Sequence, residues 1–511
     1  MKLTGLRLLA GISVFLALVA GAWASTSPRY GGTLKVELQA GKISMDPRKW
    51  KDGSVEAGRE EKIATLIFDR LVVMDNYGRF QPGLATEWTH DAGFKRWQFV
   101  LRAGVKFSDG TSLGATEVAA ALQSLLPGTQ QIIANGNNIL IQCGVAAPDL
   151  LEELASGRFF VYRVQEGGTL LGTGPFFVGE SGDTASKATH LHFRANENTW
   201  SGRPFLDAID VTLGVPALRE LFDLQLGKAD LVELSPELVR RATKENFRVW
   251  LSAPVTLYGL RFDDAQAAAA DPALRQALAL SLDRQTIAGV LLQKQADPAS
   301  SLLPQWLSGY AFLFHEGPKI EHAKEIHAAI TAKDGSAALR LRVDATGDLG
   351  KLLGERVAVN ARQSSIPIQV QSHAAAGHTD NTSTTTGNDL KVGLHLFAWH
   401  YSSLSPRVEL ESFLEAMKVD DASGVGTSSA DLEQIYMRER KVIEERRILP
   451  IVAVPEFVGI GANVHDWMPS KWGEWHLADV WLEPSESSAG GAQPAANSTA
   501  PIETPVPGAK P

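Results

Sequence analysis

The sequence predicts a protein of two or more lobes that mixes strands with helices, and three observations point there. The chain has 511 residues, more than one hydrophobic core comfortably organises. Its composition, 44% hydrophobic and 21% charged, is that of an ordinary soluble globular protein. Within residues 67–125 the apolar spacing changes from the two-residue period of a strand to the 3.6-residue period of a helix.

At the N-terminus, Lys2 and Arg7 precede an apolar run from Leu8 to Gly21, and Ala22-Trp23-Ala24 is the small-x-small pattern that a signal peptidase cuts. Residues 1–24 therefore read as a cleavable signal peptide; the run is short for a bilayer span of about 20 residues. The single cysteine, Cys143, lies far downstream, so no lipid tether is expected at the cleavage site and the exported protein diffuses freely in the periplasm. One thiol forms no internal disulfide, and within Ile139–Cys143 it reads as a small buried hydrophobe rather than a nucleophile.

Asp75-Asn76-Tyr77-Gly78 is a turn signal, since Asn and Gly tolerate positive φ and Asp bonds the backbone just beyond it. Trp97–Arg102 alternates apolar and polar residues as a half-buried strand does, and Val105-Lys106-Phe107, set between turns, reads as its hairpin partner. Val118, Leu122 and Leu125 then share one helical face, with Glu117 in the first turn near the positive end of the helix dipole and Gly114 as a weak cap. His373–Asn388 reads as a polar loop, and Ser485–Pro511 as a disordered tail too poor in large apolar residues to offset its ordering entropy.

Several functions are disfavoured. A net charge of −9 without a Lys/Arg block argues against nucleic acid as partner. Gly172-x-Gly174 lacks the third glycine and the Lys-Ser/Thr of a phosphate loop. His322 and His327 are five apart, diverge around a helix, and read as solvated residues rather than metal ligands. The charges from Arg438 to Arg447 read as a salt-bridged wet helix face. No nucleophile elbow, Ser-x-x-Lys or cysteine cluster occurs, so neither catalysis nor a cofactor or metal is expected.

Residues 67–125 closely resemble the entry segment of the family 5 extracellular solute-binding proteins of oligopeptide and dipeptide ABC importers. The resemblance continues in order: Gly31–Val36 with Met45-Asp46-Pro47, Gly172-Thr173-Gly174-Pro175-Phe176, Asn196–Trp200 with Pro204–Asp207, Asp271–Ala277 with Leu282-Asp283-Arg284, and Ile448–Ile451 with Asp479–Leu482. It implies an α/β, periplasmic binding protein-like fold (type II, cluster C-like) with two main lobes, a hinge and a small extra subdomain. By this likeness residues 29–64, 172–262 and 464–484 form lobe I, 65–171 subdomain II and 263–463 lobe III. It also implies lobes that close on a ligand which an inner-membrane ABC permease then receives; a hinge with one cleft needs no symmetry mate, so a monomer is expected.

The resemblance places candidate ligand-binding residues at Trp399, His400 and Tyr401, where peptide-binding relatives carry an acid for the ligand's amino terminus, and at Tyr258 and Arg261 near the hinge. This chain has no acid in that run before Glu409, which disfavours burying a free ammonium there. The connection from Leu126 to Ile139 is short, so subdomain II is expected to be trimmed. Two readings follow. One is a periplasmic receptor for a small polar solute, foremost a peptide. The alternative is a transport-incompetent relative acting as a ligand-gated partner of a membrane sensor.

Overall fold

Two antiparallel strands, Arg248–Phe262 and Ile448–Ile460, are each more than twice the ordinary strand length of about five or six residues and tie the two halves of the molecule together. The computed structural model describes residues 27–126, 128, 130–179, 190–263, 271–310, 317–334, 338–372, 393–419 and 432–483. The expected signal peptide, the loop 373–388 and the tail 485–511 lie outside the described residues. Among the described residues no helix is long and apolar enough to cross a membrane.

The largest sheet described has eleven strands. Ten run in the order Phe176–Val178, His190–Ala195, Ala208–Leu213, Thr33–Leu38, Leu231–Leu234, Ile448–Ile460, Arg248–Phe262, Leu394–His400, Leu339–Val343 and Ile368–Ser372. The two-residue strand Asp297–Pro298 pairs with Ile448–Ile460 off that path. Thr33–Leu38 is parallel to both neighbours, with Leu34 opposite Ile209 and Val36 opposite Leu231. Residues 457–460 pair with Leu231–Leu234 of the first half, whereas Thr256–Phe262 pair with Leu394–His400 of the second.

Between these regions the ladder is interrupted. Pro254 stands opposite Pro455, and the register shifts on both sides of Pro254. Neither proline has an amide hydrogen to donate, so the two strands are least tied where one half passes into the other. This is the geometry of a hinge.

Hydrophobic clusters fill each region. In the first half Leu34, Val36, Ile67, Phe193, Ile209 and Trp475 pack together. A second cluster runs from Leu234 and Val239 through Leu260 and Leu278 to Leu341, Val357 and Ile451. A third holds Trp97, Phe99, Val118, Leu122, Ile139 and Ile141 of the subdomain, and a fourth Leu302, Trp399, Tyr401, Phe413 and Ile435.

In the subdomain Trp97, Phe99 and Leu101 point inward along the strand Arg96–Leu101 while Gln98 faces out, as the alternation predicts. Its partners differ from the expectation. The strand pairs with Ala85–His90 and Asn138–Cys143, and residues 105–107 are not its hairpin partner. Lys106 makes only an isolated bridge to Ser112, because the turns at Gly104 and Gly110 curl this piece back on itself. The helix Ala115–Gln123 starts as expected, with the Gly114 amide donating to the Glu117 carboxylate at 3.1 Å. Cys143 is buried, and burial pushes its thiol up.

The chain returns from subdomain to first half through Gly172-Thr173-Gly174. A Cβ at Gly172 would lie 1.9 Å from the Ile67 carbonyl oxygen, and the Gly174 amide donates to that oxygen at 2.8 Å. Only glycine lets the segments cross this closely. On the helix Ile320–Asp334, His322 contacts Glu325 at 3.3 Å in solvent, but His327 is buried, a correction to the expected solvated pair. The wet face before Pro450 is real at Arg440 and Glu444, 2.8 Å apart, yet Glu439 within it is fully buried.

Candidate ligand cleft

The helix Val55–Ile67 begins at Ser54, whose hydroxyl accepts from the Ala57 amide, and lays its charged side chains beside the hinge strands. Arg59 donates to Glu233 at 2.8 and 3.0 Å. Lys62 lies 2.6 Å from Glu456 Oε1, and Arg70, just beyond the helix, pairs with Glu61 at 2.5 Å and with Glu474. Such pairs survive burial because each charge keeps a partner.

Two cavities flank this row. The larger, about 470 Å³, is bounded by Glu56, Arg59 and Lys62 of the helix, by residues 233–237, by Thr256 and Tyr258 of one long strand, by residues 346–349, and by residues 454–458 of the other long strand. The smaller, about 30 Å³, is bounded by Gly58, Glu61 and Lys62, by Trp306, by residues 400–404, and by Glu456 with residues 472–474. Lys62 and Glu456 border both, so their ion pair is the partition.

The halves touch across the cleft. The His400 amide donates to the Gly53 carbonyl at 2.8 Å, and the Thr346 hydroxyl donates to Glu56 at 3.0 Å. Arg407 reaches Asp149 of the subdomain at 2.9 Å, and Ser405 donates to the same carboxylate at 2.6 Å. A Cβ at Gly58 would stand 2.4 Å from His400 Nε2, and one at Gly53 would overlap the Trp399 ring. The cleft is shut in this structure.

Burial and neighbours set the protonation of the site. Burial pushes His400 down to about 4, so the imidazole is neutral at pH 7. Glu220 lies behind Glu233, bonded through Gln39 Nε2 at 2.8 Å; burial and the Glu233 charge push its carboxyl far up. Burial alone would raise Glu233 too, but Arg59 and Lys62 outweigh it and hold that carboxylate down.

The model of the bacterial extracellular solute-binding proteins, family 5 (Middle) matches residues 79–138 and 163–419, well over half of the chain. The chain belongs to this family. Over 253 residues, 44% of the chain, it is 26% identical to the nickel-binding periplasmic protein of Escherichia coli, and spans 47% of that relative's length. Among solved structures it superposes on the Escherichia coli murein tripeptide binding protein MppA with a TM-score of 0.73 at 16% identity, covering 89% of this chain and 99% of that one. It also superposes on Haemophilus influenzae OppA in complex with RPPGFSPFR with a TM-score of 0.70 at 15% identity, covering 89% and 99%. At such identities the likeness to the solved structures is one of fold, the periplasmic binding protein fold that the motifs imply.

On this family 5 frame the candidate residues fall in different places. His400 and Tyr401 border the small cavity and Tyr258 the large one. Tyr401 also donates its hydroxyl to the Leu302 carbonyl at 2.6 Å. Trp399 borders neither cavity; it packs against Gly53 and donates to Glu409 at 2.6 Å. Glu409 is buried, accepts from the Ser402 and Ser403 amides as well, and is pushed up to about 7 by burial. It thus shapes the loop rather than facing a ligand. Arg261 borders neither cavity and pairs with Asp263 at 3.7 Å.

Sequence reasoning missed Arg59, Lys62, Glu233, Glu456, Trp306 and Trp472. One signal was present, since Glu456 is the sole charged residue in the otherwise apolar strand Ile448–Ile460. Among the described residues no group of three His, Cys, Asp or Glu side chains is placed to hold a metal ion.

Proposed function

We propose that this protein is a periplasmic substrate-binding protein of an ABC importer, which captures a small polar solute between its halves by hinge closure and hands it unchanged to a membrane permease. The observation that carries the reading is the large cavity at the proline-interrupted crossing of the two long strands, bordered by residues of both halves. Its size falls in the range of about 300–1,000 Å³ usual for small-molecule sites. A solute touching both halves favours the closed form by its differential affinity, which is how a ligand-free receptor is distinguished from a loaded one.

The border of that cavity carries Glu56, Arg59, Lys62, Glu233, Glu237, Asp348 and Glu456, a mixture of signs that suits a zwitterion such as a peptide. Family membership and the fold shared with OppA and MppA support peptides as the first class of solute to try. The nickel-binding relative adds chelated metal as the second. His400, Tyr401 and Tyr258 are the sequence-expected residues that would meet solute; Trp399 would act by packing, and Arg261, which borders neither cavity, would act through its pair with Asp263.

Isothermal titration with a dipeptide library and with a nickel–histidine complex tests the reading. Saturable one-to-one binding, with the solute recovered unaltered, is expected. Absence of binding from both classes, together with no solute carried through gentle purification from the periplasm, overturns it.

A further inference from the structure

Two polar atoms at the border of the small cavity are buried without a partner: Glu456 Oε2, an acceptor, and Trp472 Nε1–H, a donor. Leaving either unpaired forfeits its hydration with nothing in return, at greater cost for the charged one, so their meeting at one cavity calls for a third group that satisfies both. The other Glu456 oxygen is taken by Lys62, and the Gly473 Cα, which carries no side chain, leaves Oε2 uncovered, since a Cβ there would lie 2.8 Å from it.

The surroundings leave Oε2 open to a donor. Lys62 pairs through the other oxygen of Glu456, Arg70 is engaged by Glu61 and Glu474, and burial pushes the Glu61 carboxyl up to about 8. The Trp306 and Trp472 rings, with centroids 4.9 Å apart, supply aromatic walls of the kind that favour a cation. A volume of about 30 Å³ admits one small headgroup and excludes a side chain.

We propose that the small cavity is an ammonium subsite: Glu456 Oε2 accepts from a protonated amine of the solute and Trp472 Nε1 donates to an acceptor beside it. This deepens the binding-protein reading and rests on it. The solute class is then an amine-bearing zwitterion whose body fills the larger cavity and whose amine passes the Lys62–Glu456 partition. The carboxylate comes from the second hinge strand, so the lack of an acid in the run 397–407 does not bar an amine-bearing solute.

The full-length protein, wild type and variants, is incubated with a mixture of amino acids and dipeptides and with the same mixture N-acetylated, and native mass spectrometry reads which masses are retained. Wild type is expected to retain free-amine members at least tenfold over their acetylated counterparts. Glu456→Gln abolishes that preference. If Glu456→Gln misfolds because Lys62 is stranded, Trp472→Phe, which deletes only the N–H, is expected to weaken retention of the free amines several-fold. Equal retention of acetylated members, no retention of either mixture, or variants indistinguishable from wild type overturns the proposal. The two readings separate cleanly: a solute without an amine carried from the periplasm sinks the ammonium subsite and leaves the receptor standing, whereas no carried solute and no retained mass sinks both.

Discussion

The Lys62 ammonium stands 2.6 Å from Glu456 Oε1 at the hinge, joining the helix that begins at Ser54 to the strand that carries Pro455. Lys62 is buried and the Glu456 side chain nearly so, which makes the pair sensitive to the loss of either member. Lys62→Met and Glu456→Leu are each expected to cost about 2–4 kcal/mol in urea unfolding, and the double variant less than their sum, because one substitution alone strands a buried charge. Additive losses would show that the pair is not coupled.

Arg407, Ser405 and Asp149 form a clasp between the second half and the subdomain. It bridges the second half to the subdomain across the shut cleft, so it favours closure. Asp149→Ala is expected to weaken solute binding roughly tenfold, about 1.4 kcal/mol, chiefly through faster release in stopped-flow measurements. An unchanged release rate would remove the clasp from the closed-state contacts.

Gly58 faces His400 so closely that any Cβ collides with the imidazole. Gly58→Ala is expected to leave the circular dichroism spectrum unchanged while small-angle scattering reports a larger radius of gyration and binding falls. A closed, binding-competent variant would contradict the packing described.

Two buried groups bend stability with pH in opposite senses. His400 titrates near 4 when folded against about 6.5 unfolded, so the stability tied to its neutral form is present above 6.5 and is lost as pH falls towards 4. Glu220 is raised when folded, so its contribution is present below about 4.5 and lost as pH climbs through the neutral range, with a slope of up to about 1.4 kcal/mol per unit. Glu220→Gln is expected to flatten the alkaline limb of Tm against pH and His400→Gln the acid limb. Profiles parallel to wild type would show that neither group is perturbed as its surroundings imply.

Much of the frame was legible in the sequence because it rests on local rules. Alternation marked Trp97, Phe99 and Leu101 as an inward face, and Gly114 with Glu117 in the first turn marked the start of the helix Ala115–Gln123. The pairing of that strand was not legible, since Ala85–His90 and Asn138–Cys143 compete for its edges with the nearer residues 105–107, and only tertiary packing decides. The site was half legible. Tyr258, His400 and Tyr401 reach the cavities, but Trp399 turns inward because Glu409, ten residues on, takes its N–H. The charged row was hidden because Arg59 and Glu233 lie 174 residues apart and meet only across the sheet.

The central claim, that two halves close on a solute about the Pro254–Pro455 crossing, is tested most directly by a distance across the cleft. Spin labels at the exposed positions Lys228 and Lys351, with Cys143 replaced by Ser, report that distance by pulsed electron resonance. A broad or longer distribution without solute, sharpening to a single shorter distance with saturating dipeptide mixture or nickel–histidine complex, is the predicted result. One narrow distance that no solute changes would contradict it.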